Sequence, residues 1–141
     1  MAKSTDMNGI WSGMYNYDDF DMTVKFTAWL DDQAGILGGT TMEPNTFMPD
    51  GPDDLMAVVK GARSALDVAF QKSYDQSTGI VQPTLIYEGE SNRDFTEVRG
   101  VWRFDEPLKV AGEFRLIRMA EGVASKLARM RAASVDIDLK S

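Results

Sequence analysis

The feature that most constrains this chain is a period-two alternation of apolar and polar side chains. It is clearest over Asp21–Leu30, where every even-numbered residue after Asp21 is apolar and Thr23, Lys25 and Thr27 between them are polar. Such alternation places one face of a strand against a core and the other in solvent. The segment therefore predicts a half-buried β-strand whose even-numbered side chains point inward.

The same pattern recurs between short clusters of turn-forming residues, such as Asp31–Gly35 and Asp75–Gly79. Short strands at a spacing of roughly 8–12 residues are typical of a β-sandwich or β-barrel. We therefore predict an all-β fold with eight sequential strands over residues 9–118. The predicted strands are Gly9–Tyr17, Asp21–Leu30, Ile36–Glu43, Leu55–Arg63, Ala65–Tyr74, Val81–Glu90, Asp94–Phe104 and Lys109–Arg118.

Residues 55–74 also allow a different interpretation. Their apolar side chains fit a helical stripe that Asp53 would cap. Two strands are favoured because Gly61 lies in the middle and because alternation resumes from Leu66 to Tyr74.

Two further segments stand outside this pattern. Residues 44–54 hold three of the five prolines, which predicts a loop and a candidate lid. Residues 119–141 change to a helical period with Val123, Leu127 and Met130 on one stripe, and Val135–Leu139 then alternates. We predict a C-terminal helix followed by a short ninth strand.

Composition limits the chemistry. A chain of 141 residues predicts one domain. Because it contains no histidine and no cysteine, imidazole bases, thiolate nucleophiles, disulfides and Cys/His zinc sites are excluded. We expect no metal and no cofactor, and we assign no catalytic residue from the sequence.

Charge and hydropathy indicate where the chain acts. The net charge is −7, and an acidic surface repels phosphate backbones, so nucleic acid is not an expected partner. No stretch approaches the ~20 apolar residues of a membrane helix, and the first residues lack the apolar core of a signal peptide. We expect a cytoplasmic protein that does not bind a membrane.

The ends of the predicted barrel carry a family resemblance. Gly9-Ile10-Trp11 resembles the Gly-x-Trp signature in the first strand of the calycin superfamily, which includes lipocalins and avidin-like barrels, and the chain also looks like small uncharacterised bacterial members. Eight sequential strands joined by short turns predict an eight-stranded antiparallel up-and-down barrel, and the resemblance implies the same fold. It further implies that Trp11 closes one end beneath Arg118 from the last strand, a cation–π contact.

Aromatic residues on six predicted strands form the expected barrel interior. Eight strands leave room for side chains or for one small ligand. We therefore weigh a filled barrel against an aromatic pocket for a small apolar or amphipathic molecule. Besides Trp11, the expected interior residues, which are the candidate ligand-binding set, are Tyr15, Phe26, Phe70, Tyr74, Tyr87, Trp102 and Phe114.

The leading hypothesis is non-catalytic binding of such a molecule. One alternative is an interaction or assembly module with a filled barrel, which includes a homodimer. The other is a small barrel enzyme of isomerase or cyclase type that uses a tyrosine or glutamate inside the barrel. Glu88 and Glu97 are expected to point outward and to pair with Arg99 or Arg103 rather than to transfer protons.

Overall fold

The computed structural model describes residues 5–19, 21–45, 53–74, 84–105 and 110–119. These residues form eight β-strands. The strands are β1 (Gly9–Asn16), β2 (Thr23–Gln33), β3 (Ile36–Pro44), β4 (Asp54–Ser64), β5 (Asp67–Tyr74), β6 (Leu85–Ser91), β7 (Glu97–Phe104) and β8 (Ala111–Arg118).

Each strand pairs antiparallel with the next, and β8 pairs with β1 to close the barrel. The register of the closing pair places Trp11 opposite Arg118 and Tyr15 opposite Phe114. The predicted all-β fold and its eight-stranded antiparallel barrel are therefore confirmed, and the strand bounds differ from the predicted ones by a few residues.

One difference from the predicted bounds lies in the hairpin of β2 and β3. Asp31, predicted to begin the turn, instead pairs with Gly38, so β2 continues to Gln33. The turn reduces to Ala34 and Gly35, both with positive φ (53° and 91°). Two-residue turns with this backbone match the twist of antiparallel strands, so they let the strands pair up to the last residue.

Residues 55–74 form two strands, and the helical alternative is wrong. Strands β4 and β5 pair along their lengths, with Gly61 opposite Phe70. Gly61 suits this position because a side chain there would overlap the Ala69 carbonyl and the Phe70 backbone. The turn between the strands includes Ala65 at a φ of 54°.

Several predictions fall on parts of the chain that the structure does not describe. The C-terminal helix and ninth strand lie outside the described residues, as do residues 46–52 of the candidate lid and residues 81–83 of the sixth predicted strand. Only the ends of the 44–54 loop are described, where the Asn45 amide donates a hydrogen bond to the Asp53 carbonyl at 2.8 Å.

The two ends of the barrel differ. At the end we call the closed end, β1 begins, β8 ends and the turns after β2, β4 and β6 lie. At the opposite end, which we call the loop end, β3 stops at Pro44 and β4 begins at Asp54, while β5 stops at Tyr74 and β6 begins at Leu85. Longer connections at one end of a barrel are where binding residues commonly occur.

Candidate functional site

The closed end is sealed by Trp11 and Arg118. The guanidinium carbon of Arg118 lies 4.7 Å from the Trp11 ring centroid, and Trp11 is fully buried. Arg118 also donates hydrogen bonds to the backbone carbonyls of Phe95 (2.8 Å), Asn8 and Asp6. The structure thus brings Trp11 and Arg118 into contact, and Arg118 ties the first strand, the last strand and the β6–β7 turn together.

Asp32 fixes the chain ahead of β1 to the same end. Its carboxylate accepts hydrogen bonds from the Met7 amide (2.9 Å), the Gly35 amide (2.9 Å) and Arg63 Nε (2.7 Å). Although burial raises the pKa of Asp32, these donors outweigh it and hold the pKa below its usual value. This carboxylate is a structural group rather than a candidate base.

The barrel interior is lined by rings in contact. Phe70 stacks on Tyr87 with centroids 4.8 Å apart and planes at 11°, and Phe114 meets Tyr87 edge-on at 4.9 Å. Trp102 lies 5.4 Å from Tyr15, also edge-on. All seven residues of the candidate set point inward and are at most 6% exposed: Tyr15, Phe26, Phe70, Tyr74, Tyr87, Trp102 and Phe114.

Two glycines make the ring packing geometrically feasible. A side chain at Gly13 would overlap the Phe26 ring. A side chain at Gly112 would overlap the Asn16 carbonyl, which accepts a 2.8 Å hydrogen bond from Trp102 Nε1. Both glycines face inward at the places where neighbouring rings cover the backbone.

A buried charged pair lies among these rings toward the loop end. Lys72 Nζ donates a hydrogen bond to Glu43 Oε1 at 2.6 Å, and both side chains have zero exposure. The same carboxylate accepts the Tyr74 hydroxyl at 2.8 Å and the Tyr15 hydroxyl at 2.6 Å. Glu43 therefore joins β1, β3 and β5 through three donors.

Four rings surround the Lys72 ammonium group. Nζ lies 4.6 Å from the Phe26 centroid, 5.0 Å from Tyr15, 5.2 Å from Tyr74 and 5.7 Å from Tyr87. These distances are within the range of cation–π attraction. Burial nevertheless lowers the pKa of Lys72, and the partly compensating Glu43 carboxylate does not restore its ordinary value.

The tyrosines of this cluster are held in the neutral form. Burial is the main cause that raises the pKa of Tyr15, Tyr74 and Tyr87 above the ordinary value, and the nearby Glu43 raises each further. The pKa of Tyr17 is also raised, mainly by burial. Each phenol is therefore a hydrogen-bond donor at neutral pH.

Two buried hydroxyls lack a hydrogen-bond partner among the described residues: Tyr87 Oη and Thr41 Oγ1. Thr41 lies between Ala28 and Ala57 in the strand register, so its wall of the barrel carries short side chains. Tyr87 comes from β6, where it lies opposite Phe70 and Trp102 in the strand register. Because buried polar groups almost always have partners, each of these two hydroxyls indicates a place for a polar atom of a water or ligand.

The sequence reasoning missed Glu43, Lys72 and Thr41. Side chains alternate between the two faces of a strand, so Lys72, which lies two residues from both Phe70 and Tyr74, points inward as they do. Thr41 and Glu43 likewise share the inward parity of Leu37, and all three side chains are buried. The two-residue alternation could therefore have predicted that these side chains point inward. Lysine and glutamate were overlooked because such residues are rarely buried unless paired.

The outward carboxylates behave as expected for surface charges. Glu88 approaches Arg103 on the neighbouring strand at 3.4 Å. Glu97 pairs with Arg99 on its own strand and with Arg115 at 2.9 Å on the next, and these two donors are the main causes that lower the pKa of Glu97. A groove of about 480 Å³ lies beside them on the outer surface of β7, β8 and β1.

Neither a metal site nor a membrane span emerges from the described part of the chain. Within it, no three acidic side chains come close enough to hold a metal ion, and Asp53 and Asp54 are exposed. Asp50 lies outside the described residues. No helix of membrane-spanning length and hydropathy occurs among the described residues.

The fold and interior define the chain as a closed eight-stranded antiparallel β-barrel with an aromatic interior that contains a buried lysine–glutamate pair. Comparison with known protein families finds no matching family model, and comparisons with curated proteins and with solved structures find no significant match. The function must therefore be argued from the site itself.

Proposed function

We propose that this protein binds a small amphipathic molecule inside the barrel, with its apolar part against the aromatic rings and its polar group toward Tyr87 and Thr41. The observation that carries the proposal is the pair of fully buried hydroxyls without a partner. Leaving such a group unpaired costs about 1–3 kcal/mol, which a bound polar atom would recover.

The buried charges support the same proposal. Replacing a buried ion pair by apolar side chains of similar volume is often neutral or stabilising, so stability alone is a weak reason to keep one. The Lys72–Glu43 pair instead gives the apolar interior a fixed polar end. Mostly apolar walls with a few placed polar groups are the usual composition of a small-molecule site.

The position of the site also favours binding. Glu43 is the next-to-last residue of β3 and Tyr74 is the last residue of β5, so both lie at the loop end. The opposite end is sealed by Trp11 and Arg118. A small molecule would therefore enter from the loop end. As part of this proposal, we place the chain in the calycin superfamily. The Gly9-Ile10-Trp11 motif and the contact between Trp11 and Arg118 at the closed end support that placement.

Native mass spectrometry of the freshly purified protein tests the proposal first, because it detects a co-purified small molecule. The second measurement is a titration with cinnamyl alcohol, a phenyl ring whose short side chain ends in one hydroxyl, followed by tryptophan fluorescence. We expect saturable one-to-one binding that weakens about fivefold in Tyr87→Phe, the loss of roughly one hydrogen bond. No bound mass together with no saturable binding would overturn the proposal.

A second candidate function is an assembly module with a filled barrel. It is favoured by the tight ring packing of the interior and by two exposed apolar side chains on the outer face of β7 and β8, Val101 at 56% and Ile117 at 38%. The same native mass spectrum separates the two candidates. A bare dimer or larger assembly would favour the module, and a monomer with a bound small molecule would favour the carrier.

A further inference from the structure

Lys72 has the surroundings of a reactive amine rather than of a surface cation. Its Nζ is fully buried, has four rings within 5.7 Å, and has Glu43 as its only hydrogen-bond partner among the described residues. Lys25 and Lys60, the other described lysines, are exposed on the outside of β2 and β4. Among the described lysines, only Lys72 has an amine in an apolar, water-excluded environment.

We propose that Lys72 forms a reversible imine with a small apolar aldehyde that enters the barrel, with Glu43 carrying the protons. This inference rests on the proposed binding function and names its substrate class. A lysine desolvated in an apolar pocket is an established type of nucleophile toward carbonyl compounds. Burial, which lowers the pKa of Lys72, enlarges the fraction of the neutral amine that can attack.

The proton transfers balance within the cluster. The Lys72 ammonium gives one proton to the Glu43 carboxylate, 2.6 Å away. The amine nitrogen then attacks the carbonyl carbon, a carbon–nitrogen bond forms, and the proton on Glu43 passes to the carbonyl oxygen. Glu43 next takes a proton from the nitrogen and returns it to the carbinolamine hydroxyl, which leaves as water while the carbon–nitrogen double bond forms.

The remaining groups fit an aldehyde and not a charged substrate. The rings of Phe26, Tyr15 and Tyr87 border Nζ and offer apolar faces to the carbon chain or ring of the aldehyde. The ring of Tyr87 lies 5.7 Å from Nζ, and its hydroxyl has no partner among the described residues, so it is available to hydrogen-bond the carbonyl oxygen before attack. Glu43 then remains as the counter-ion of a protonated imine.

The test is reductive trapping on the intact wild-type protein. Cinnamaldehyde and sodium cyanoborohydride are added at neutral pH, and peptide mapping locates the resulting secondary amines. We expect Lys72 to be modified about tenfold or more faster than Lys25 and Lys60, although it has no exposure and they are exposed. Because the mapping is done on the wild-type chain, the result does not depend on the folding of a Lys72 variant.

Cinnamyl alcohol, which has the same shape and cannot form an imine, separates this inference from the binding proposal. Suppression of the Lys72 adduct by the alcohol would support both. Saturable binding of the alcohol with adducts only on Lys25, Lys60 and other non-interior amines would overturn the imine and leave the binding function standing. No binding of the alcohol and no Lys72 adduct would overturn both.

Discussion

Lys72 Nζ lies 2.6 Å from Glu43 Oε1 at a place in the barrel where neither side chain has any exposure. Removing one charge from such a pair leaves the other buried and uncompensated. We therefore expect that replacing either residue alone destabilises the fold more than replacing both together.

Lys72→Met should destabilise the protein by about 3–5 kcal/mol, because Glu43 would keep only the two tyrosine donors in an apolar interior. The double variant Lys72→Met with Glu43→Gln should recover most of that loss, since no unpaired charge remains. Urea unfolding followed by tryptophan fluorescence measures both values. The matched control is Lys60→Met on the outer face of β4, expected within about 0.5 kcal/mol of wild type.

A loss below about 1 kcal/mol in Lys72→Met would contradict this account, because it would mean that Glu43 without its lysine partner costs the folded protein little. A double variant no more stable than Lys72→Met would also contradict it. In that case the cost would come from the lost volume and ring contacts of Lys72 rather than from the charge.

Tyr87→Phe and Tyr74→Phe should have opposite effects on the empty protein. The Tyr87 hydroxyl has no partner among the described residues, so its removal should leave stability unchanged or raise it by about 1 kcal/mol. The Tyr74 hydroxyl donates to Glu43 at 2.8 Å, so its removal should cost about 1.5–3 kcal/mol. Thermal unfolding of the ligand-free variants checks both signs.

A Tyr87→Phe protein as destabilised as Tyr74→Phe would show that the Tyr87 hydroxyl already has a partner in the empty barrel. Such a result would remove the observation on which the proposed binding function rests. The comparison is therefore informative even before any ligand is known.

All four tyrosines should resist ionisation while the protein is folded. The pKa of each, Tyr15, Tyr17, Tyr74 and Tyr87, is raised mainly by burial. Since the phenols of the unfolded chain ionise near pH 10 and burial shifts those of the folded chain to higher pH, stability should fall as pH rises above about 10. A titration of phenolate absorbance should show one steep step that coincides with unfolding, whereas a gradual step near pH 10 would contradict the burial.

The fold was largely predictable because its signal is local. Asp21–Leu30 alternates so clearly that the inner face of β2 follows from the sequence alone, and Val24, Phe26 and Ala28 are buried as expected. The Trp11–Arg118 contact was predictable only through a family resemblance, since nothing in the spacing of two residues 107 positions apart implies that they meet. Closure of β8 onto β1 brings them together.

The polar cluster was not predicted because its members are distant in sequence and unusual in burial. Glu43, Lys72 and Tyr15 become neighbours only when β1, β3 and β5 curve around one interior. Period-two parity places each of them inward, but parity does not say which inward polar groups will pair. That information depends on the stagger of the strands, which is a property of the closed barrel.

Asp32→Asn should weaken the closed end in a pH-dependent way. Its pKa is held below the usual value by Arg63 and by two amides, which outweigh the burial. A lowered pKa means that the carboxylate stabilises the fold above about pH 4 and that this contribution is lost as the pH falls through the folded-state value. The variant should therefore be about 2 kcal/mol less stable than wild type at pH 7, with a gap that narrows in acid.

Arg118→Lys tests the other half of the closed end. Lysine keeps the charge but loses the planar group that stacks on Trp11 at 4.7 Å and that donates to three carbonyls, so the two residues are not equivalent here. We expect a loss of about 2–3 kcal/mol and faster amide exchange at Met7 and Asn8. Arg103→Lys, an exposed arginine paired with Glu88 at 3.4 Å, should change stability by less than about 0.5 kcal/mol. Equal effects in the two variants would mean that the contribution of Arg118 depends on its charge alone and that its stacking on Trp11 adds nothing to the stability of the closed end.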